Sequence, residues 1–422
     1  MNTPEGTVLW RALSPAPALP VAPLPERADV AIVGAGYTGL AAARALARDG
    51  ARVVVLEAGS LGDAASSRNG GMVLPGYKAG LEAIIRRCGP ALARELWDDS
   101  RAAVSFVESL VQEEGIACDW RRAGQLTLAA KPAHLRGLAA DQRLLQRDFD
   151  HPTTLLGPSE LGSEIGSRHY HGALLDPEAG AVQPAAYLHG LAAATLRAGA
   201  AIHEQTRVTR IEPLPKGHRL HTTRGPLEAG EVVLATNGHT GGLHPPLTRR
   251  VVPVGSFIIA TAPLPQAVAA GLIPRDRMLS DTRNLLYYFR LSPDRRLVFG
   301  GRAAFVPGRT ARSRGLLEEG IRAVFPQLGP VPIEYCWGGV LGFTMHHLPQ
   351  LGRLGPYASA VGYGGHGVAM GTWLGDRLGR ALGGAPWPAL ARVPCPAIPL
   401  YGGRPWFLPL AGAYYGLKDW LL

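Results

Sequence analysis

Cysteine is scarce in this chain of 422 residues: Cys88, Cys118, Cys336 and Cys395 are all there are. None forms a C-x-x-C pair or stands with histidines at zinc spacing, which argues against a cysteine-built metal centre and a disulfide framework. Charged residues make up only 18%, and no apolar run reaches the roughly 18–20 residues of a membrane span. Lysine is nearly missing, with four of the 43 basic residues; the arginines behind the net charge of +10 are scattered, as in "RRCGPALARELWDDSR" and "RDRMLSDTR". A nucleic-acid partner needs a basic stripe. Scattered arginine fits a solvated surface, with at most a mild pull on acidic substrates. The opening "MNTPEGTVLWRALSPAPALPVAPLPERAD" has no basic segment followed by an apolar one, so it does not read as a secretion leader. Its prolines predict an extended arm over residues 1–26. The expectation is a cytoplasmic protein with no metal, no nucleic-acid partner and no membrane span.

Glycine, by contrast, is abundant at 54 residues. The stretch "ADVAIVGAGYTGLAAARALARDGARVVVLEA" reads as strand, glycine turn, helix and second strand, with Gly50 closing the helix. Gly34, Gly36 and Gly39 form G-x-G-x-x-G at the first turn. They permit a tight bend, close approach of a pyrophosphate, and close helix–strand packing. The phosphates then meet free N–H groups at the helix start. Glu57 ends the second strand 23 residues after Gly34, where a carboxylate holds ribose hydroxyls and repels a 2′-phosphate. The three glycines alone would fit a tight structural turn; with both strands, the helix and Glu57 they indicate dinucleotide binding.

Three more stretches repeat the pattern of a strand running into a small-residue turn: "LGDAASSRNGGMVLPGY", "EVVLATNGHTGG" and "SAVGYGGHGVAMGTWLGDRLGRAL". Glycine turns spread along the chain suit a long ligand threaded through it, as FAD is. A helix starting near Val368 would aim its positive end at Gly364–Gly367; if a flavin lies there, the dipole favours the negative charge of its reduced form, and the alternative is a plain loop ending a strand.

On these residues the chain resembles the FAD-dependent amine and amino-acid oxidoreductases of the D-amino-acid-oxidase superfamily. The "SRNGG" loop and the tail "PLYGGRPWFLPLAGAYYGLKDWLL" are similar to the gamma-glutamylputrescine-type branch. The resemblance implies a Rossmann-like FAD-binding domain of the glutathione-reductase type, interleaved with an antiparallel-sheet substrate domain. It implies non-covalent FAD, with Gly34, Gly36, Tyr37, Thr38, Gly39, Glu57 and Ala58 at the ADP half. Ser67, Arg68, Asn69, Gly70, Gly71 and Met72 would run along the pyrophosphate and ring system, and Val208 would meet the adenine side. Asn237 and Gly238 would belong to a further turn at the cofactor. Gly339, Gly364, Gly365, His366, Gly367 and Val368 would line the flavin. Relatives with covalent flavin use a cysteine near the place of Gly339, and Cys336 comes three residues too early. Sarcosine-oxidase-like members carry a carboxylate-clamping lysine where Ala369 stands, and an oxygen-activating lysine near Val298.

The same reading assigns 27–85, 150–245 and 335–395 to the FAD domain. It assigns 86–149 and 246–334 to the substrate domain, with 396–422 as a tail packed on the FAD domain. "ALARELWDDSRAAVSFVESLVQEEG" predicts a helix, "LLYYFRLSPDRRLVFGGRAAF" a hairpin around Ser292-Pro293-Asp294, and "RVVPVGSFIIATAPL" a strand pair. The expected chemistry is oxidation of an amine C–N bond to an imine, which hydrolyses to aldehyde or ketone, with oxygen or another electron acceptor. It needs orientation and dryness more than an acid–base triad. His366, Trp337 and Tyr288 are the catalytic candidates. Tyr77, Tyr287, Arg290 and Trp337 are candidates for the substrate wall. Each also has a plain packing role open to it. Two other functions stay open: a biosynthetic tailoring dehydrogenase or N-dealkylating enzyme using an acceptor other than oxygen, and a non-catalytic flavoprotein subunit.

Overall fold

The computed structural model describes residues 6–301 and 310–421. Its first sheet has a parallel centre in the order Tyr357–Val361, Gly225–Leu234, Arg27–Val33, Val53–Leu56, Ala201–His203. Arg27–Val33 and Val53–Leu56 at its centre are rich in valine and isoleucine and buried at most positions, as parallel strands covered on both faces must be. Gln350–Leu354 adds an antiparallel edge, and Val208–Pro213 with His218–Thr222 form an antiparallel ribbon on Gly225–Leu234. The helices Tyr37–Arg48, Pro184–Arg197 and Ala369–Leu382 pack together with these strands in one apolar cluster. The turn at the first strand is as tight as the glycine pattern predicts. A Cβ on Gly39 would stand 1.9 Å from the Gly34 carbonyl oxygen, so only glycine lets this helix meet its strand.

The second sheet runs Ile333–Phe343, Val252–Thr261, Leu297–Gly301, Tyr287–Leu291, Met278–Asp281, Gln125–Leu128, Ala173–Asp176, Thr154–Leu156. All its pairings are antiparallel except Met278–Asp281 with Gln125–Leu128. The helix Thr310–Val324 seals one face through Leu317, Ile321 and Val324. The other face looks toward the first sheet. A bridge between Phe343 and Tyr363, and a hydrogen bond from Gly364 N to Gly342 O (2.9 Å), tie the two sheets edge to edge.

Four expectations need correction. "RVVPVGSFIIATAPL" is not a strand pair: Val252–Thr261 is one strand, because its partners lie on both sides, in Leu297–Gly301 and Ile333–Phe343. Thr154–Leu156, Ala173–Asp176 and most of Ile333–Phe343, assigned above to the FAD segments, are strands of the second sheet. The tail packs on that sheet as well. Tyr401 and Leu408 join Val252, Val254 and Phe343, and Asp419 accepts from the backbone N–H of Asn284 and Leu285. Finally, the arm is not extended throughout, since Leu9–Leu13 is a helical turn with Leu9 and Trp10 fully buried. Residues 1–5 of the arm, 302–305 of the expected hairpin and 422 of the tail lie outside the described residues.

Candidate active site

Two cavities meet between the sheets. The larger, about 830 Å³, is lined by Gly34, Gly36, Tyr37, Thr38, Glu57, Ala58, Val208 and Asn237, and ends at Gly364, Gly365, Gly367 and Val368. It opens onto the start of the helix Tyr37–Arg48, where Gly36 holds the N-cap position without a capping side chain. Glu57 accepts from Ala35 N at 2.9 Å and Gly59 N at 3.0 Å, which fixes its carboxylate beside the glycine turn. Asn237 accepts from Gly362 N (2.9 Å) and so pins the turn before "GHG".

The second cavity, about 450 Å³, shares Ala65, Asn69, Leu341, Gly364, Gly365 and Val368 with the first. Strand register builds its roof. Ser280 lies opposite Tyr288, Tyr288 opposite Gly300, and Gly300 opposite Ile258. Directly opposed residues share a face, so Ser280, Tyr288 and Ile258 all look down into the cavity, with Gly339 and Ser256 beside them. A Cβ on Gly300 would stand 2.3 Å from the Tyr288 ring, which therefore lies flat on this glycine. Tyr288 shares a hydrogen bond with Ser256 Oγ (3.0 Å).

The floor is the loop Arg68–Met72, and its carbonyls are held from behind by buried side chains of remote segments. Trp337 Nε1 donates to Arg68 O (3.0 Å) and Trp10 Nε1 to Asn69 O (2.8 Å). Arg290 donates to Gly71 O (3.1 Å) and Val182 O (2.9 Å), with its guanidinium 5.6 Å from the Trp10 ring centre. Carbonyls turned to the back leave the cavity side of the loop to side chains and N–H groups. Burial and the neighbouring Arg121 push Arg290 down to about 9, so it remains a cation behind the loop at neutral pH.

Charge is unevenly spread around the second cavity. Arg68 and Lys78 stand at the end near Gly364–Val368, while Asp176 lies on the opposite wall and Asp141 at the rim. Desolvation, and then Lys78, push His366 down to about 4. Its ring is therefore neutral at physiological pH and offers one donor and one acceptor nitrogen. Tyr77 reaches the same cavity with a buried hydroxyl that has no hydrogen-bond partner among the described residues. Burial drives its pKa well up.

The structure separates the expected residues into two groups. Gly34, Gly36, Tyr37, Thr38, Glu57, Ala58, Arg68, Asn69, Gly70, Met72, Tyr77, Val208, Asn237, Tyr288, Gly339, Gly364, Gly365, His366, Gly367 and Val368 line one cavity or both. Gly39, Ser67, Gly71, Gly238, Tyr287, Arg290 and Trp337 line neither. Arg290 and Trp337, expected on the substrate wall, brace the loop from behind, each with no exposed surface. Tyr287 points to the other face of its strand, onto Phe299 and Arg283. The residues missed are Trp10, Ser256, Ser280, Gln125, Thr127 and Asp176. A tryptophan inside a proline-rich arm was the one local sign of the first; for the others the sequence has no sign short of strand register.

The cradle accepts FAD. Gly365 has φ +112 and nothing within 4 Å of where a Cβ would be, at the point where both cavities meet. A side chain there would project into the junction. Cys336 faces away from it, packed with Phe257 and Ile259 on the far face of the second sheet.

A bent cleft joining a dinucleotide cradle to a roofed reaction chamber defines a flavin-dependent oxidoreductase. The chain belongs to the FAD dependent oxidoreductase family (DAO), whose model matches residues 29–381. It is 33% identical to gamma-glutamylputrescine oxidoreductase of Escherichia coli over 396 residues, covering 93% of this chain and 92% of that protein. It is 34% identical over 359 residues to the probable oxidoreductase OrdL of Haemophilus influenzae, covering 84% and 82%. The fold matches the crystal structure of glycine oxidase from Bacillus cereus with a TM-score of 0.72 at 18% identity, over 89% of this chain and all of that one.

Proposed function

We propose that this enzyme oxidises the C–N bond of a gamma-glutamylputrescine-like amine, with FAD held non-covalently across the two cavities. When bound, FAD would supply the two-electron oxidation of the C–N bond, and hydrolysis of the imine product would give aldehyde and ammonia. The protein's residues supply orientation and charge. The Tyr288 ring and Ile258 form an apolar ceiling over the chamber, and the Arg68–Met72 loop forms its floor. Arg68 and Lys78 make the end near Gly364–Val368 cationic, which favours the neutral amine over ammonium at that place. Neutral His366 can hydrogen-bond there without adding charge. The observation that carries the reading is the junction itself, where Asn69, Gly364, Gly365 and Val368 border both cavities. The identity to the Escherichia coli relative supports the substrate class.

The test is anaerobic bleaching of the bound flavin. Gamma-glutamylputrescine should bleach it, and N-methyl amino acids should do so far more slowly. A flavin reducible by dithionite but by no amine would overturn the reading and favour a non-catalytic subunit. A second reading concerns the acceptor. Val298, at the place of the oxygen-activating lysine of sarcosine-oxidase-like members, is packed with Trp10 and Trp337, which favours an acceptor other than oxygen. Stoichiometric peroxide release would refute it. A cytoplasmic location is in keeping with a chain of only four cysteines, and cell fractionation checks it.

A further inference from the structure

We propose that the far end of the second cavity, at Gln125, Thr127 and Asp176, is a subsite for an ammonium group on the tail of the substrate. This rests on the proposed amine oxidation and assigns the part of the molecule that does not react.

Register again places the residues. Thr127 lies opposite Ser280 and Leu174, and Gln125 lies opposite Asp176. All of them share the downward face of the sheet with Tyr288, and all line the cavity. This end is built of acceptors. Gln125 Nε2 donates to Ser280 Oγ (2.8 Å), which leaves the amide oxygen of Gln125 for a ligand. Asp176 accepts from His151 Nε2 and from Glu178 N, each at 2.9 Å; a carboxylate has about four acceptor sites, so two remain. Thr153 on the same wall carries a buried hydroxyl with no hydrogen-bond partner among the described residues. A donor-rich cation fits such a wall, and a carboxylate carried on the same carbon, as in a gamma-glutamyl tail, must point away from Asp176. The cavity thus repels ammonium at Arg68 and Lys78 and receives it at Asp176, which sets the direction in which a doubly amino-functional substrate lies.

Length selects among amines. Two strand steps separate Tyr288 from Gln125 and three separate it from Asp176, both two residues off its line of register; at ~4.8 Å per step and ~3.3 Å per residue the separations are about 12 and 16 Å. An extended chain advances about 1.2 Å per bond. The two nitrogens of putrescine, roughly five bonds apart, span only ~6 Å by that measure. An amine whose second ammonium lies roughly ten bonds away reaches ~12 Å, the distance between chamber and subsite.

Binding is measured by calorimetry on the flavin-loaded, dithionite-reduced protein, in which no turnover occurs. The probes are gamma-glutamylputrescine, N-acetylputrescine and putrescine. The expected order places gamma-glutamylputrescine at least tenfold tighter than the other two. Asp176→Asn should weaken it by tenfold or more and change N-acetylputrescine by less than twofold. Gln125→Leu and Thr127→Val, which leave the His151 contact of Asp176 intact, should weaken it severalfold with the same selectivity. Equal affinity for charged and neutral tails, or equal losses for both in the variants, would overturn the subsite. Because reduced protein is used, this result stands apart from flavin bleaching, whose failure would sink the proposed oxidation instead.

Discussion

At the scale of single residues, Gly36 and His366 make the firmest tests. A Cβ on Gly36 would stand 3.0 Å from Ser66 Oγ, whose oxygen also accepts from Tyr37 N. Gly36→Val therefore fills the cradle at the helix start, and the purified variant should come out colourless where the parent is yellow. His366 is held neutral in the folded state down to about pH 4, whereas the unfolded chain takes up a proton near 6.5. Between those values the unfolded state binds more protons, so the stability tied to this group is complete above pH 6.5 and drains away as pH falls toward 4. His366→Gln should flatten the acid limb of a stability–pH curve measured by urea unfolding. Arg290 illustrates the limit of reading residues singly. Alternation along its strand puts it on the same face as Tyr288, which is correct, yet that face is part chamber and part backing. Only the position of the Arg68–Met72 loop separates the two.

Among elements, the helical turn Leu9–Leu13 matters most beyond its size. Trp10 is fully buried, donates to Asn69 O, stands edge-on to Trp337, and its own carbonyl accepts from Gln183 Nε2. Replacing a buried tryptophan by alanine removes ~3–5 kcal/mol in general. Trp10→Ala should lower the denaturant midpoint accordingly and also speed loss of flavin during gel filtration, because the floor loop loses a brace. Trp10→Phe, which keeps most of the packing and loses the donor, separates the two effects: stability recovers more than flavin retention does. The elements of the cofactor cradle were legible beforehand, since glycine turns, buried β-branched runs and helical spacing are local signals. The arm was misread because proline content reports backbone stiffness and says nothing about a hydrophobic anchor. The strand Val252–Thr261 was misread as a pair because ten residues of mostly apolar sequence look alike whether the chain turns or runs straight.

For the whole molecule, the cleft exists because two sheets are fastened edge to edge and through the loop between them. Trp337 and Arg290 from the second sheet hold carbonyls of a loop that belongs to the first. FAD bridging both cavities should therefore stabilise the whole chain rather than one sheet. At a free concentration one hundred times Kd the gain is about 2.7 kcal/mol. Calorimetry should show one transition that moves up with added FAD; two transitions of which only one moves would refute the coupling. The sequence by itself determined the cofactor cradle and the class of chemistry, because a dinucleotide is held by backbone, and backbone geometry is written in local glycine spacing and strand ends. Which side chains line the second cavity was decided only by tertiary structure. That wall is assembled from six strands distant in the chain, and whether a residue faces substrate or packing depends on register and on what covers the strand, neither of which any short stretch of sequence contains.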